Sequence, residues 1–226
     1  LVSSAFLEGF YIKPRIDQEL LRQHSEGLIA LSACLAGEIP RLILGSNYEG
    51  AKQYALEMAE LFGPDRFYLE IQDHGIPDQR EAARGILRLH QETGIPLVVT
   101  NDAHYLTRED AVMQDTLMCI QMGKTVDDPG RMKFETQEFY IKSESEMAAL
   151  FPDYPEAVEN TEKIADMCQV EFQFGVHHLP EFKLPAGYDS LTYLKELCDK
   201  GYQERYGDEH PEYRKQMEYE IDMIEK

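Results

Sequence analysis

Basic residues are scarce in this chain of 226 residues: 22 lysines and arginines stand against 42 aspartates and glutamates, a formal net charge of −20. That imbalance opposes contact with a nucleic-acid backbone, so the segment is not expected to be a main phosphate-gripping surface. Cysteine is sparse as well. Cys34, Cys119, Cys168 and Cys198 are scattered, with no CxxC pair, which argues against a zinc ribbon. Without a disulfide framework they point to a reducing cytoplasm. No apolar run approaches the ~20 residues that cross a bilayer, so no membrane association is expected. The chain opens LVSS, with neither Met nor a basic-then-apolar leader, and it closes inside a helical pattern. Both ends are expected to be cuts through a longer protein. Fixed-period repeats and low-complexity tracts are absent. Residues 135–171 hold ten acidic and two basic side chains but no D-x-D-x-D-G spacing, which makes them a solvated face and not a calcium loop.

Between these absences, short apolar runs alternate with helical patterns. Residues 28–32, 67–71 and 96–100 have strand character. Helical spacing covers 16–24, 39–44, 48–62 (capped by Asn47) and 77–93 (opened by Pro77, closed by Gly94). The order strand, helix, strand, helix, strand, helix predicts an α/β fold with parallel strands and helical crossovers. Further on, a helix is expected over 106–123, with Val112, Leu117 and Ile120 on its apolar stripe and Cys119 in the core. A strand is expected over 134–141, a capping box at Ser143 and Glu146, and helices over 155–168, 189–206 and from Pro211 onward. A shift of pattern near residue 178 divides the chain into 1–178 and a mainly helical 179–226. The neighbours His177 and His178 would face opposite sides of an extended chain, which opposes a shared metal.

In parallel α/β folds the functional groups gather at the carboxyl ends of the strands. Here those ends carry Cys34, His74, and Asp102 with His104. Residues i and i+2 share one side of an extended segment, so Asp102 and His104 point together if the strand continues through them. A carboxylate, two imidazoles and a thiol are metal-ligand chemistry. The plainer alternative has Asp102 capping a turn and His104 packing beneath it.

The segments GLIALSACLAGEIP, FYLEIQDHGIP, IPLVVTNDAHYL, DDPGRMKFETQEFYIKS and FPDYPEAVENTEKIA resemble the alpha subunits of bacterial DNA polymerase III, the C-family replicative polymerases. They are similar to the polymerase-and-histidinol-phosphatase (PHP) domain of that family and, after it, the start of the polymerase body. The resemblance implies part of a distorted (β/α)7 barrel, followed by the helical beginning of the palm region. It implies a metal cluster of up to three ions, Zn²⁺ or Mn²⁺, with Cys34 at a Cys-or-His position, His74 at the next His, and Asp102 and His104 as the closing pair. The earlier ligands of that set, beginning with His-x-His, have no counterpart here. It implies a structural role or metal-dependent 3′–5′ exonuclease or phosphoesterase chemistry. The carboxylates of nucleotidyl transfer, which take Mg²⁺, fall outside this segment, and DNA is contacted through other parts of the parent. Implied partners are other replicase subunits: a proofreading exonuclease, the sliding clamp or clamp-loader components.

Two other readings compete. One is a free-standing PHP phosphoesterase of the histidinol-phosphatase kind, which gives no reason for the continuation DSLTYLKELCDKGYQERYG. The other is a non-catalytic docking module, compatible with the polymerase reading and favoured by the acidic surface.

Overall fold

Three runs that are apolar on both faces make the sheet. The computed structural model describes residues 1–177 and 179–226. Strands β1 (Ala30–Leu31), β2 (Phe67–Ile71) and β3 (Leu97–Val99) are parallel and lie in the order β1-β2-β3. Ala30 stands opposite Phe67, and Leu69 opposite Leu97. Every residue of β2 and β3 is buried, as a parallel sheet covered on both faces requires. The strand expected over 28–32 shortens to two residues, because Ser32 turns its hydroxyl onto the β2 backbone and Ala33 adopts a left-handed conformation (φ 66°).

The chain divides into two units, Leu1–Val170 and Glu171–Lys226. In the first, α1 (Val2–Leu7) and α2 (Gln18–Gln23) precede β1, and α3 (Glu38–Leu44) and α4 (Tyr48–Phe62) follow it. Helix α5 (Pro77–Thr93) carries the chain from β2 to β3, and its end is set by Gly94 in the left-handed region. The buried face of α4, Ala51, Ala55, Met58 and Phe62, meets Phe67 and Leu69 of the sheet. Helices α3 and α5 cross so closely at Gly85 that a Cβ there would lie 2.6 Å from the Ile43 side chain.

After β3, a single 3-10 turn (Arg108–Asp110), held by the reciprocal bonds of Thr107 and Asp110, leads into α6 (Ala111–Met122). Cys119 is buried, but Val112, Leu117 and Ile120 are exposed, so the apolar stripe of this helix has no cover within the described residues. The strand expected over 134–141 reduces to one parallel bridge, Tyr105 with Tyr140. The Phe139 carbonyl accepts from both His104 N–H and Tyr105 N–H, and Thr136 spends its hydroxyl on the His74 carbonyl, so side-chain and shared bonds replace a ladder. Helix α7 (Glu144–Leu150) starts at the expected capping box. Helix α8 (Pro155–Met167) covers the outer edge of β3, where the Asn160 amide donates to the Leu97 carbonyl at 2.7 Å.

The second unit contains α9 (Ser190–Tyr206) and α10 (Pro211–Glu225). Asp189 caps α9 by accepting from Leu191 and Thr192 N–H. The Arg214–Asp199 and Lys195–Glu225 ion pairs tie the helices together, beside the buried Tyr202 and Ile221. No helix of the described chain is long and apolar enough to cross a membrane.

Candidate functional site

The carboxyl ends of the three strands are joined by one side chain that the sequence reading passed over. Glu70, the polar residue of FYLEI, is buried in β2. Its Oε2 accepts from Ala33 N–H at 3.0 Å, just beyond β1. Its Oε1 accepts from the Gln72 amide at 2.9 Å and from the Thr100 hydroxyl, just beyond β3. Among the described residues no cation is paired with it. The turn it holds carries Cys34, whose carbonyl accepts from Gly37 N–H at 2.7 Å. A Cβ at Gly37 would lie 2.5 Å from the Ser32 carbonyl oxygen, so only glycine allows this return of the chain. Cys34 lines a small cavity of about 20 Å³ with Glu70, Gln72 and Gln79.

His74 is fully buried at the end of β2, with 1 % of its surface exposed. Its Nε2 lies 2.8 Å from the Asn101 carbonyl oxygen, which can only accept, so Nε2 carries the proton. Nδ1 then accepts from the Gln79 amide at 2.8 Å, and Gln79 Oε1 accepts from His74 N–H at 2.9 Å. The imidazole stacks on Phe139 with ring centroids 4.0 Å apart.

Past Val99 the chain leaves the strand. Asp102 is left-handed (φ 43°), so its approach to His104 comes from a turn and not from strand alternation. Asp102 Oδ1 lies 3.4 Å from His104 Nε2, and both side chains are more than a third exposed. The His104 ring rests against Phe134, with centroids 4.7 Å apart, and meets Phe139 in a T-shaped contact at 5.7 Å. Asn101 braces this loop: its amide donates to the Tyr140 carbonyl, and its Oδ1 accepts from Lys142 at 3.3 Å. Burial pushes the Lys142 ammonium below the ordinary lysine value, against the opposing pull of Glu138.

The fold therefore brings Asp102 and His104 into direct contact, and places His74 and His104 against one shared ring, Phe139. Cys34 lines a small cavity together with Gln79, the partner of His74 Nδ1. These donors have the chemistry of a Zn²⁺ or Mn²⁺ site. In this arrangement Asp102 and His104 supply two of them, while both ring nitrogens of His74 are engaged by protein. Among the described residues no three His, Cys, Asp or Glu side chains are grouped closely enough to hold an ion. His178 lies outside the described residues; His177 is exposed. A polar Glu inside an otherwise apolar strand was the one sequence signal that could have found Glu70, and nothing local marked Gln79 or Phe139.

Residues 1–74 match the PHP domain family, a match that takes in Cys34 and His74. Along 99 % of its length the chain is 45 % identical to DNA polymerase III subunit alpha of Treponema pallidum (strain Nichols), of which it covers 19 %. It is 44 % identical over 92 % of its length to the subunit of the same name from Thermus aquaticus, covering 18 % of that protein. Against the one from Mycobacterium tuberculosis (strain CDC 1551 / Oshkosh) it is 37 % identical over 99 % of its length. The chain spans about a fifth of the length of the curated relatives it matches.

Proposed function

Because the chain belongs to the family of DNA polymerase III alpha subunits, we propose that it is the PHP-bearing part of a replicative DNA polymerase, with DNA-templated synthesis carried out by other parts of the whole protein. The likeness along nearly the entire chain to subunits of that name carries this reading. The helical unit Glu171–Lys226, which a free-standing PHP phosphoesterase would not need, favours it over that alternative.

Within this segment the Asp102–His104 pair is the start of a divalent-cation site. A cation bound there would activate water and neutralise charge on a phosphoryl oxygen. The chain's own residues do three things for it. Asn101 holds the loop, Phe134 and Phe139 wall one side of His104, and Glu70 adds negative charge beneath the strand ends, which favours a cation over a bare phosphate. Nε2 of His74 serves the Asn101 loop and Nδ1 meets Gln79 of α5, so no hydrolytic step is assigned to it. The acidic face over 135–171 suits docking to another replicase subunit better than contact with DNA.

The test pairs the whole subunit with this 226-residue chain in a template-dependent incorporation assay, with metal content measured on both. The whole subunit is expected to incorporate nucleotides and the chain alone is not. His104→Ala is expected to lower metal content in the whole subunit. Incorporation by the isolated chain would overturn the division of labour, and an unchanged metal content in the variant would overturn the cation site.

A further inference from the structure

We propose that Glu70 is the positioning residue of the candidate site, the one group that sets the Cys34 turn and the Asp102–His104 turn in register with each other. This rests on the reading above only in that those turns carry its candidate ligands.

Ala33 N–H, the Gln72 amide and the Thr100 hydroxyl all give hydrogens to the Glu70 carboxylate. A carboxylate accepts all three; a glutamine in its place would turn an NH₂ toward at least one donor. Thr100 accepts in turn from the Gln72 amide at 2.9 Å, so its hydroxyl hydrogen is left for Glu70. The Glu70 N–H donates to Ser32 Oγ at 2.8 Å, which binds the same β1 end from a second direction. Two of these contacts lie 37 and 30 residues away in sequence, one just beyond the end of each neighbouring strand.

What the carboxylate holds is conformationally costly. Ala33 and Asp102, each next to or within a candidate ligand turn, both have left-handed backbones, a region that residues with a Cβ enter at a cost and keep only when fixed from outside. Ala33 is fixed directly by Glu70, and Asp102 follows two residues after Thr100. The Gln72 amide oxygen is buried without a partner. Flipping that amide would aim the oxygen at the carboxylate, so the unpartnered atom is itself a consequence of the Glu70 charge. Gln72 also lines the small cavity beside Cys34, which has room for about one water.

The experiment compares the wild-type chain with Glu70→Gln and Thr100→Val by amide NMR and hydrogen exchange. In Glu70→Gln the Ala33 amide is expected to exchange on the order of ten- to a hundredfold faster, the loss of one charge-assisted bond. The resonances of Ala33, Cys34, Asn101 and Asp102 should move together while the Leu89 amide in α5 stays protected. A residue that merely stabilises the fold would change Leu89 protection as much as Ala33. Thr100→Val, on the opposite strand, should still move Ala33 and Cys34, because the carboxylate transmits the change. If Glu70→Gln fails to fold, Thr100→Val alone decides. Unmoved Ala33 and Cys34 resonances in a folded variant overturn the proposal. A cobalt titration of the wild type, read by its thiolate charge-transfer band, separates the two readings: no band rejects Cys34 as a ligand, whatever the amides show.

Discussion

The His74 imidazole lies face to face with the Phe139 ring, 4.0 Å between centroids and 8° from parallel, while the same ring meets His104 in a T-shaped contact. One aromatic side chain from an irregular segment thus touches a histidine from the end of β2 and another from the loop after β3. Replacing it removes the shared wall. Phe139→Ala should destabilise the first unit by about 3 kcal/mol, the lower end for a buried phenylalanine, since Phe134 can lean in to fill part of the gap. Urea unfolding checks the size. A variant within experimental error of wild type would show that the ring contributes no packing.

The His74 ring should carry a proton on Nε2, facing the Asn101 carbonyl. The acceptor at that nitrogen is a carbonyl, and the Gln79 amide occupies Nδ1. Imidazole nitrogen NMR distinguishes the two tautomers directly. A protonated Nδ1 would contradict the arrangement. Gln79→Leu, which removes the donor to Nδ1, should loosen the ring and allow the other tautomer to appear.

Acid should loosen the start of α7 late. The Ser143 N–H, then its hydroxyl, then the Tyr140 hydroxyl bind the Glu146 carboxylate and hold it at about 2, below its ordinary 4.5. A folded value below the unfolded one means the contribution is complete above about 4.5. It fades as the pH falls from there toward about 2. Ser143→Ala keeps the backbone donor and loses the hydroxyl, so the Glu146 midpoint should rise only part of the way to its ordinary value. Carboxyl carbon NMR follows that midpoint, and a return to the full ordinary value would show the hydroxyl to be the main cause.

Gly85 tests which of two opposing effects is larger. Glycine inside a helix costs about 1 kcal/mol against alanine, so Gly85→Ala would stabilise an isolated α5. Here the added methyl would lie 2.6 Å from the Ile43 side chain, and overpacking costs about 1–3 kcal/mol. The net is expected to be destabilising, and adding Ile43→Ala should recover part of the loss. A stabilised single variant would mean that α3 yields freely.

The buried strands were legible because FYLEI and PLVV are short, apolar and bounded by turn residues, and the helices because Asn47, Pro77, Gly94 and Ser143 stand where caps belong. The closeness of Asp102 to His104 was also legible, though by the wrong geometry. Strand alternation stops at Val99, and a left-handed turn does the work. What could not be read was held by distant partners. Whether 134–141 forms a ladder depends on where Thr136, Asn101 and His104 spend their hydrogen bonds, and no local pattern records that. The role of Glu70 rests on Ala33 and Thr100, which lie 37 and 30 residues away in sequence. The exposed stripe of α6 satisfies helical periodicity fully, yet periodicity says which side is apolar and not whether anything covers it.

Asn160 has a consequence for how the chain behaves in company. Because the Pro96 carbonyl serves Leu69 in β2, the Leu97 carbonyl faces outward, and the Asn160 amide takes it. The last strand of the sheet is therefore occupied by a side chain where another backbone could pair. Helix α8 then acts as a guard against strand addition between molecules. Its detachment would present a short, wholly apolar strand edge to other chains.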